Sequence, residues 1–203
     1  MSDRVELIIE TIRALEQELE EEFAKKRAGL RFGLEHGRAR FEREVIRRHN
    51  ELRTGLARYL ARSNPLIVLT APVIYSLIIP FAVLDLWVSA YQAVCFRVYG
   101  IPRVKRDRYM VFDRSGLAYL NLIEKLNCAY CSYGNGVIAY AREIAARTEQ
   151  FWCPIKHARR VLGTHPRYTN FADYGDGERY AAHLKASRSK LRAEAKEAPD
   201  PKA

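Results

Sequence analysis

The chain has 203 residues, enough for one or two domains, and carries 34 Lys and Arg against 24 Asp and Glu, a net charge of +10. That balance favours an anionic partner such as phospholipid head groups or nucleic acid. The start, Met1-Ser2-Asp3-Arg4, leads into an acidic amphipathic stretch with no apolar core ending in small residues, so no cleavable leader is expected. Four cysteines in such a chain argue for a reducing compartment and for metal binding over structural disulfides.

The charge is unevenly placed. Residues 1–22 hold two basic and eight acidic side chains, residues 23–64 twelve and four, and residues 97–114 six and two. Basic sequence therefore brackets the apolar stretch between Pro65 and Phe96, as juxtamembrane sequence does beside an anionic leaflet.

Residues 1–64 read as a long amphipathic, coiled-coil-like helix. Val5, Ile8, Ile12, Leu15 and Leu19 recur at spacings of three and four, and Phe23, Leu30, Leu34, Phe41, Val45, Leu52, Leu56 and Tyr59 continue the stripe with some drift. Such a helix would pair with a second copy or lie along head groups, or else fold back as a hairpin on its own domain. Gly29, Gly33 and Gly37 fall on one helical face and mark either a close helix contact or a break between two helices.

Residues 65–96 are the membrane segment. No charge interrupts the run from Pro65 to Leu84, and about 20 apolar residues suffice to cross the hydrocarbon core. Two geometries compete: a proline-kinked span over 66–84 followed by an interfacial piece carrying Trp87, Tyr91 and Phe96, or a re-entrant hairpin broken at Pro72 and Pro80. The arginines at 47, 48, 53, 58 and 62 and the basic residues at 97, 103, 105, 106, 108 and 114 favour the hairpin, because both flanks then face the cytoplasm. Asp85 is the one ionisable group in the stretch; beside Trp87 it is expected to sit hydrated at the interface, the alternative being a deep carboxylate with a partner.

Residues 97–177 are expected to form a small Cys/His domain. Arg108–Phe112 reads as a short strand, and Asp113 or Ser115 as the cap of a helix over 117–126. Cys128-Ala-Tyr-Cys131, a helix at about 136–150 and Cys153-Pro-Ile-Lys-His157 then give the pattern C-x2-C-x21-C-x3-H. Two thiolates on a two-residue gap, with Cys153 and His157 on a three-residue gap, supply the Cys3His set that tetrahedral structural zinc takes; iron or an iron–sulfur cluster is the lesser form. The alternatives are a redox-active Cys128/Cys131 dithiol and buried free thiols, the class to which Cys95 belongs. Glu143 and Arg147 are expected to pair on a helix surface; the competing role for Glu143 or Glu149 is to orient His157 or to act as an acid or base. Gly134-Asn135-Gly136 reads as a turn entering the helix.

Gly163 to Gly177 is rich in turn formers, and residues 178–203 read as a basic amphipathic helix at 178–195 followed by a disordered tail. The run LNCAYCSYGNGVIAYAREIAARTEQFWCPIKH, Leu126 to His157, together with the apolar segment before it, resembles uncharacterised bacterial membrane proteins of unknown function across about residues 65–160. The resemblance implies a bacterial inner-membrane protein and assigns no activity.

The expectation is thus a mainly α protein at the cytoplasmic face of the membrane, bound to anionic phospholipid, with a zinc-closed domain, homo-oligomerisation through the N-terminal helix, and a scaffold or interaction role. The competing expectation is a metal- or iron–sulfur-dependent enzyme or electron-transfer protein acting on a lipid-soluble substrate; nucleic acid is the weaker partner, lacking a recognisable fold behind the basic surface.

Overall fold

The computed structural model describes residues 3–28, 32–35, 38–41 and 43–197, and the chain there is mainly helical. It divides into two compact units, Met1–Ala61 with Asp113–Lys125, and Arg62–Phe112 with Leu126–Ala203.

In the first unit α1 runs Asp3–Ala28 and ends on Lys25, Lys26 and Arg27, cations that suit the negative end of a helix. The expected continuous helix stops there. Phe32–Glu35 (β1) and Arg38–Phe41 (β2) pair antiparallel, with Phe32 opposite Phe41 and Leu34 opposite Ala39. Gly33, in β1, costs a helix about 1 kcal/mol relative to alanine, and the alternation of apolar residues over 32–35 has the period of a strand. Gly29 and Gly37, the other members of that glycine series, lie outside the described residues. Helix returns as α2 (Arg43–Leu52) and α3 (Leu56–Arg62). His49 of α2 meets Tyr119 edge-on, ring centroids 5.0 Å apart. The expected cap near Asp113 is not the one used: Asn121 and Glu124 form a reciprocal box, the Glu124 amide donating to Asn121 Oδ1 (3.0 Å) and the Asn121 amide to Glu124 Oε2 (2.8 Å).

The second unit begins with the apolar segment. Asn64 caps α4 (Pro65–Ser76) by accepting from the Leu66 amide at 2.9 Å, and Pro65 occupies a first-turn position where its missing N–H costs nothing. A single residue, Leu77, separates α4 from α5 (Ile78–Tyr99) and keeps right-handed helical dihedrals. The interruption follows from Pro80, which has no N–H to offer the Ser76 carbonyl four residues back. Gly100, at φ +68°, ends α5 with the paired bonds of a Schellman turn, Ile101 N to Phe96 O and Gly100 N to Arg97 O.

No return occurs between α4 and α5. Tyr75 bonds Asn127, Tyr130 donates to the Ile74 carbonyl, Phe81 packs on Gly134, Ser89 meets Tyr140, and Tyr99 stacks on Phe151. From Tyr75 to Tyr99 the segment runs in one direction beside α6 (Leu122–Trp152), the two helices being parallel. Residues 110–112, expected in a strand, are irregular, and the loop from Ile101 to Met110 comes back along the seam. The core consists of Phe96, Ile101, Val104, Met110, Val137, Tyr140, Ile144, Phe151 and Leu191. The last of these belongs to α7 (Gly177–Glu197), whose Ser187 and Arg188 donate to the carbonyls of Gln150 and Phe151 and so close the C-terminus of α6. The expected tail beyond Glu197 lies outside the described residues.

Candidate functional site

Two neighbouring glycines explain how closely the seam packs. A Cβ on Gly136 would come within 2.7 Å of the Tyr109 carbonyl, and one on Gly134 within 2.8 Å of the Phe81 ring. The Gly-Asn-Gly run is therefore no turn: it lies inside α6, and its glycines admit the loop backbone and an aromatic ring.

On α5, Asp85, Ser89 and Gln92 succeed one another at helical spacing and face this seam. Asp85 is only 8% exposed, and Arg106 grips it with two nitrogens, Nη2 to Oδ2 at 2.6 Å and Nε to Oδ1 at 3.0 Å, while Tyr133 donates to Oδ2 at 3.1 Å. The pairing holds Arg106 above the ordinary arginine value, so the cation persists at any physiological pH. Asp85 is thus a partnered carboxylate and not a merely hydrated one. One turn on, Ser89 shares a 3.1 Å bond with the Tyr140 hydroxyl, which also receives Gln92 Nε2. Gln92 completes its own set with the backbone of Val104, accepting its N–H at 2.9 Å and donating to its carbonyl at 3.3 Å. Each polar group of α5 turned inward has a named partner, as burial in a low-dielectric seam requires.

A second network lies farther along α6. Glu143 accepts from Arg147 (2.8 Å) and from Arg167 (3.1 Å); Arg167 also reaches Gln150 (2.7 Å) and Glu194 (3.1 Å). The expected Glu143–Arg147 pair is present, but its side chains are largely buried and tie α6 to the 166–170 turn and to α7. Glu149 binds His165 at 2.9 Å; His157, which the competing reading had Glu143 or Glu149 orient, instead gives its backbone N–H to the Tyr168 hydroxyl.

The four proposed metal ligands are not brought together. Cys128 and Cys131 sit on α6 near its start, Cys153 follows its last residue, and the helix between them is unbroken. At ~1.5 Å per residue this separates the pairs by roughly 36 Å, against metal–ligand bonds of about 2.0–2.3 Å. All four cysteines are free thiols, and among the described residues no group of three His, Cys, Asp or Glu is placed to hold a metal ion. A Cys3His centre does not fit residues arranged in this way; it would need α6 to break.

No family model, curated protein or solved structure matches the chain. The seam contained two signals that sequence reasoning missed. Arg106 lies 21 residues from Asp85 and opens a short 3-10 turn, Arg106–Arg108, within the loop, so no periodicity links them. Gln92 was legible only as one polar side chain in an apolar run, yet it is 2% exposed and fixes the loop at Val104.

The outward faces of α4 and α5 are of the opposite kind. Leu66, Leu69, Val73, Ile79, Leu86, Trp87 and Val98 are all largely exposed. Pro65–Tyr99 is the one helix among the described residues that is long and apolar enough to cross a membrane, and none of its most apolar stretch is buried within the protein.

Proposed function

We propose that this is a membrane-anchored interaction protein: α4 and the start of α5 sit in hydrocarbon with the first turns of α6 packed against them, and the remainder of the second unit is held at the head groups. One observation carries the reading. An uncharged helix with its apolar side chains turned outward is what lipid stabilises and water does not. Between Leu66 and Leu84 there are twelve Leu, Ile, Val and Phe residues, each favouring insertion by about 0.3–0.6 kcal/mol near a helix centre. A lone aspartate there would oppose this by about 2.5–3.5 kcal/mol. Asp85 ends the uncharged run, and its pairing with Arg106 removes the isolated charge at the point where the chain leaves the hydrocarbon. The basic residues on both flanks, five arginines at 47–62 and six cations from Arg97 to Arg114, suit the anionic head groups of a bacterial inner membrane.

The interaction role rests on α1. Val5, Ile8, Ile12, Leu15 and Leu19, spaced as the a and d positions of a heptad, are all exposed, and a seam of that spacing is covered by a second helix of the same kind, here a second copy of the chain. The test is fractionation of the full-length chain with alkaline washing, followed by cross-linking. The protein is expected in the washed membrane pellet as a dimer that Ile12→Asp and Leu19→Asp abolish. Recovery as a folded monomer in the supernatant without detergent would refute both halves of the reading.

A further inference from the structure

The loop from Ile101 to Met110 is pinned at three places. Gln92 holds both backbone groups of Val104, Arg147 donates to the Pro102 carbonyl at 2.7 Å, and the Tyr109 carbonyl rests against Gly136. Ile101, Val104 and Met110 are buried as its anchors. A loop so fixed loses little freedom when it binds something, which is the condition for a site in place of a floppy basic tail.

The cations around it divide into two sets. Arg106 is taken by Asp85, Arg147 by Glu143, and Arg167 by Glu143 and Glu194. Arg103, Lys105 and Arg108 are exposed, and their side chains make no hydrogen bond or ion pair among the described residues. These three line a cleft of about 210 Å³ together with Pro102, Tyr109 and Arg147. Its carboxylate, Glu194, is already engaged by Arg167. Burial pushes the Tyr109 phenol up, Glu143 adding to the effect, so at neutral pH the hydroxyl is a neutral donor at the cleft wall. The cleft is walled by the loop, by Arg147 of α6 and by Glu194 of α7, and Arg106 of the same loop ties it to Asp85, the residue that ends the uncharged run.

We infer that this cleft binds the phosphate of an anionic phospholipid head group, gripped by Arg103, Lys105 and Arg108, with Tyr109 as a hydroxyl donor. The inference rests on the membrane-anchored reading and deepens it. Three unpaired cations lining one small cleft suit a phosphate oxyanion, and the loop that carries them is tied by Arg106 and Val104 to the apolar helix that would lie among the acyl chains.

The experiment titrates the full-length, detergent-purified chain with dioctanoyl phosphatidic acid, dioctanoyl phosphatidylcholine and inorganic phosphate, following binding by thermophoresis. Phosphatidic acid is expected to bind, phosphatidylcholine and inorganic phosphate at the same concentration far more weakly. Arg103→Gln/Lys105→Gln/Arg108→Gln should weaken phosphatidic acid by about 100-fold, on the order of fivefold per cation, and Arg108→Gln alone by about fivefold. Arg159→Gln/Arg160→Gln/Lys185→Gln removes the same charge from exposed positions elsewhere and should change binding by less than about twofold if the cleft, and not net charge, is the site. Circular dichroism checks that each variant is folded. Equal loss in both triple variants would overturn the cleft, and inorganic phosphate binding as tightly as the lipid would overturn a lipid ligand. Neither result would touch the membrane reading, which fails separately if the chain needs no detergent.

Discussion

The two helices that line the seam, α5 and the second half of α6, share one core and obey opposite rules. Along the second half of α6 the buried side chains are Val137, Tyr140, Ile144, Ala146 and Phe151 with a single amide, Gln150, and Arg142 lies outside. Along α5 two of the three buried residues are Asp85 and Gln92, with Leu86, Trp87, Val94 and Val98 outside. A helix that buries mostly polar groups and turns its apolar side chains outward is what the proposed membrane anchoring expects of α5. The inversion, more than the length of the apolar run, sets α5 apart from the core helix of a water-soluble protein, which would bury its apolar side chains.

The sharpest way to break the comparison is to remove one partner from the inward-facing polar set. Arg106→Leu leaves Asp85 buried with Tyr133 alone. Loss of a partner from a fully buried pair costs about 3–5 kcal/mol. Because the Arg106 side chain is 49% exposed, a loss of roughly 2 kcal/mol is expected after solvent screening is allowed for, read by denaturant unfolding in detergent. Adding Asp85→Leu should restore most of it, since the pair contributes through the cost of leaving a charge unpaired.

Gly136→Ala comes next. A Cβ 2.7 Å from the Tyr109 carbonyl must move backbone, which costs about 1–3 kcal/mol, partly offset by the roughly 1 kcal/mol gained in helix propensity. The net effect expected in the same unfolding assay is destabilising by about 1 kcal/mol, and Gly134→Ala should cost less, because a phenyl ring and not a carbonyl opposes it.

The smallest effect belongs to Tyr140→Phe, which deprives Ser89 and Gln92 of a shared hydroxyl while Gln92 keeps its two bonds to Val104. A loss of about 0.5–1.5 kcal/mol is expected. A larger loss than that from Arg106→Leu would invert the ranking and place the weight of the seam at Gln92.

Much of the architecture was legible because it repeats. The heptad-like stripe marks α1, the uncharged run marks α4 and the start of α5, and basic amphipathic sequence marks α7, each by local composition. The β1–β2 pairing, the Asp85–Arg106 bond and the loop's return along the seam depend on residues far apart or without period, and so left no local signal. The cysteine spacing shows the converse error. C-x2-C has the look of a knuckle wherever it occurs, but inside a 31-residue helix the same spacing sets two thiols on one face and carries Cys153 far away. Elemental analysis of the purified protein is therefore expected to find no stoichiometric zinc or iron bound through these residues. One metal per chain, lost in Cys128→Ser, would show that α6 is broken in solution.

The claim that the outward faces of α4 and α5 lie in lipid is tested most directly by single cysteines, in a background with the four native ones replaced by alanine. Val73 on α4 and Leu162 in the loop after α6 are 70% and 82% exposed on the protein itself, so in water their cysteine replacements would react alike with a membrane-impermeant maleimide. In sealed or broken membranes Leu162→Cys is expected to label from its own side while Val73→Cys stays unmodified from either side until detergent is added. Equal labelling of both before detergent would contradict the account.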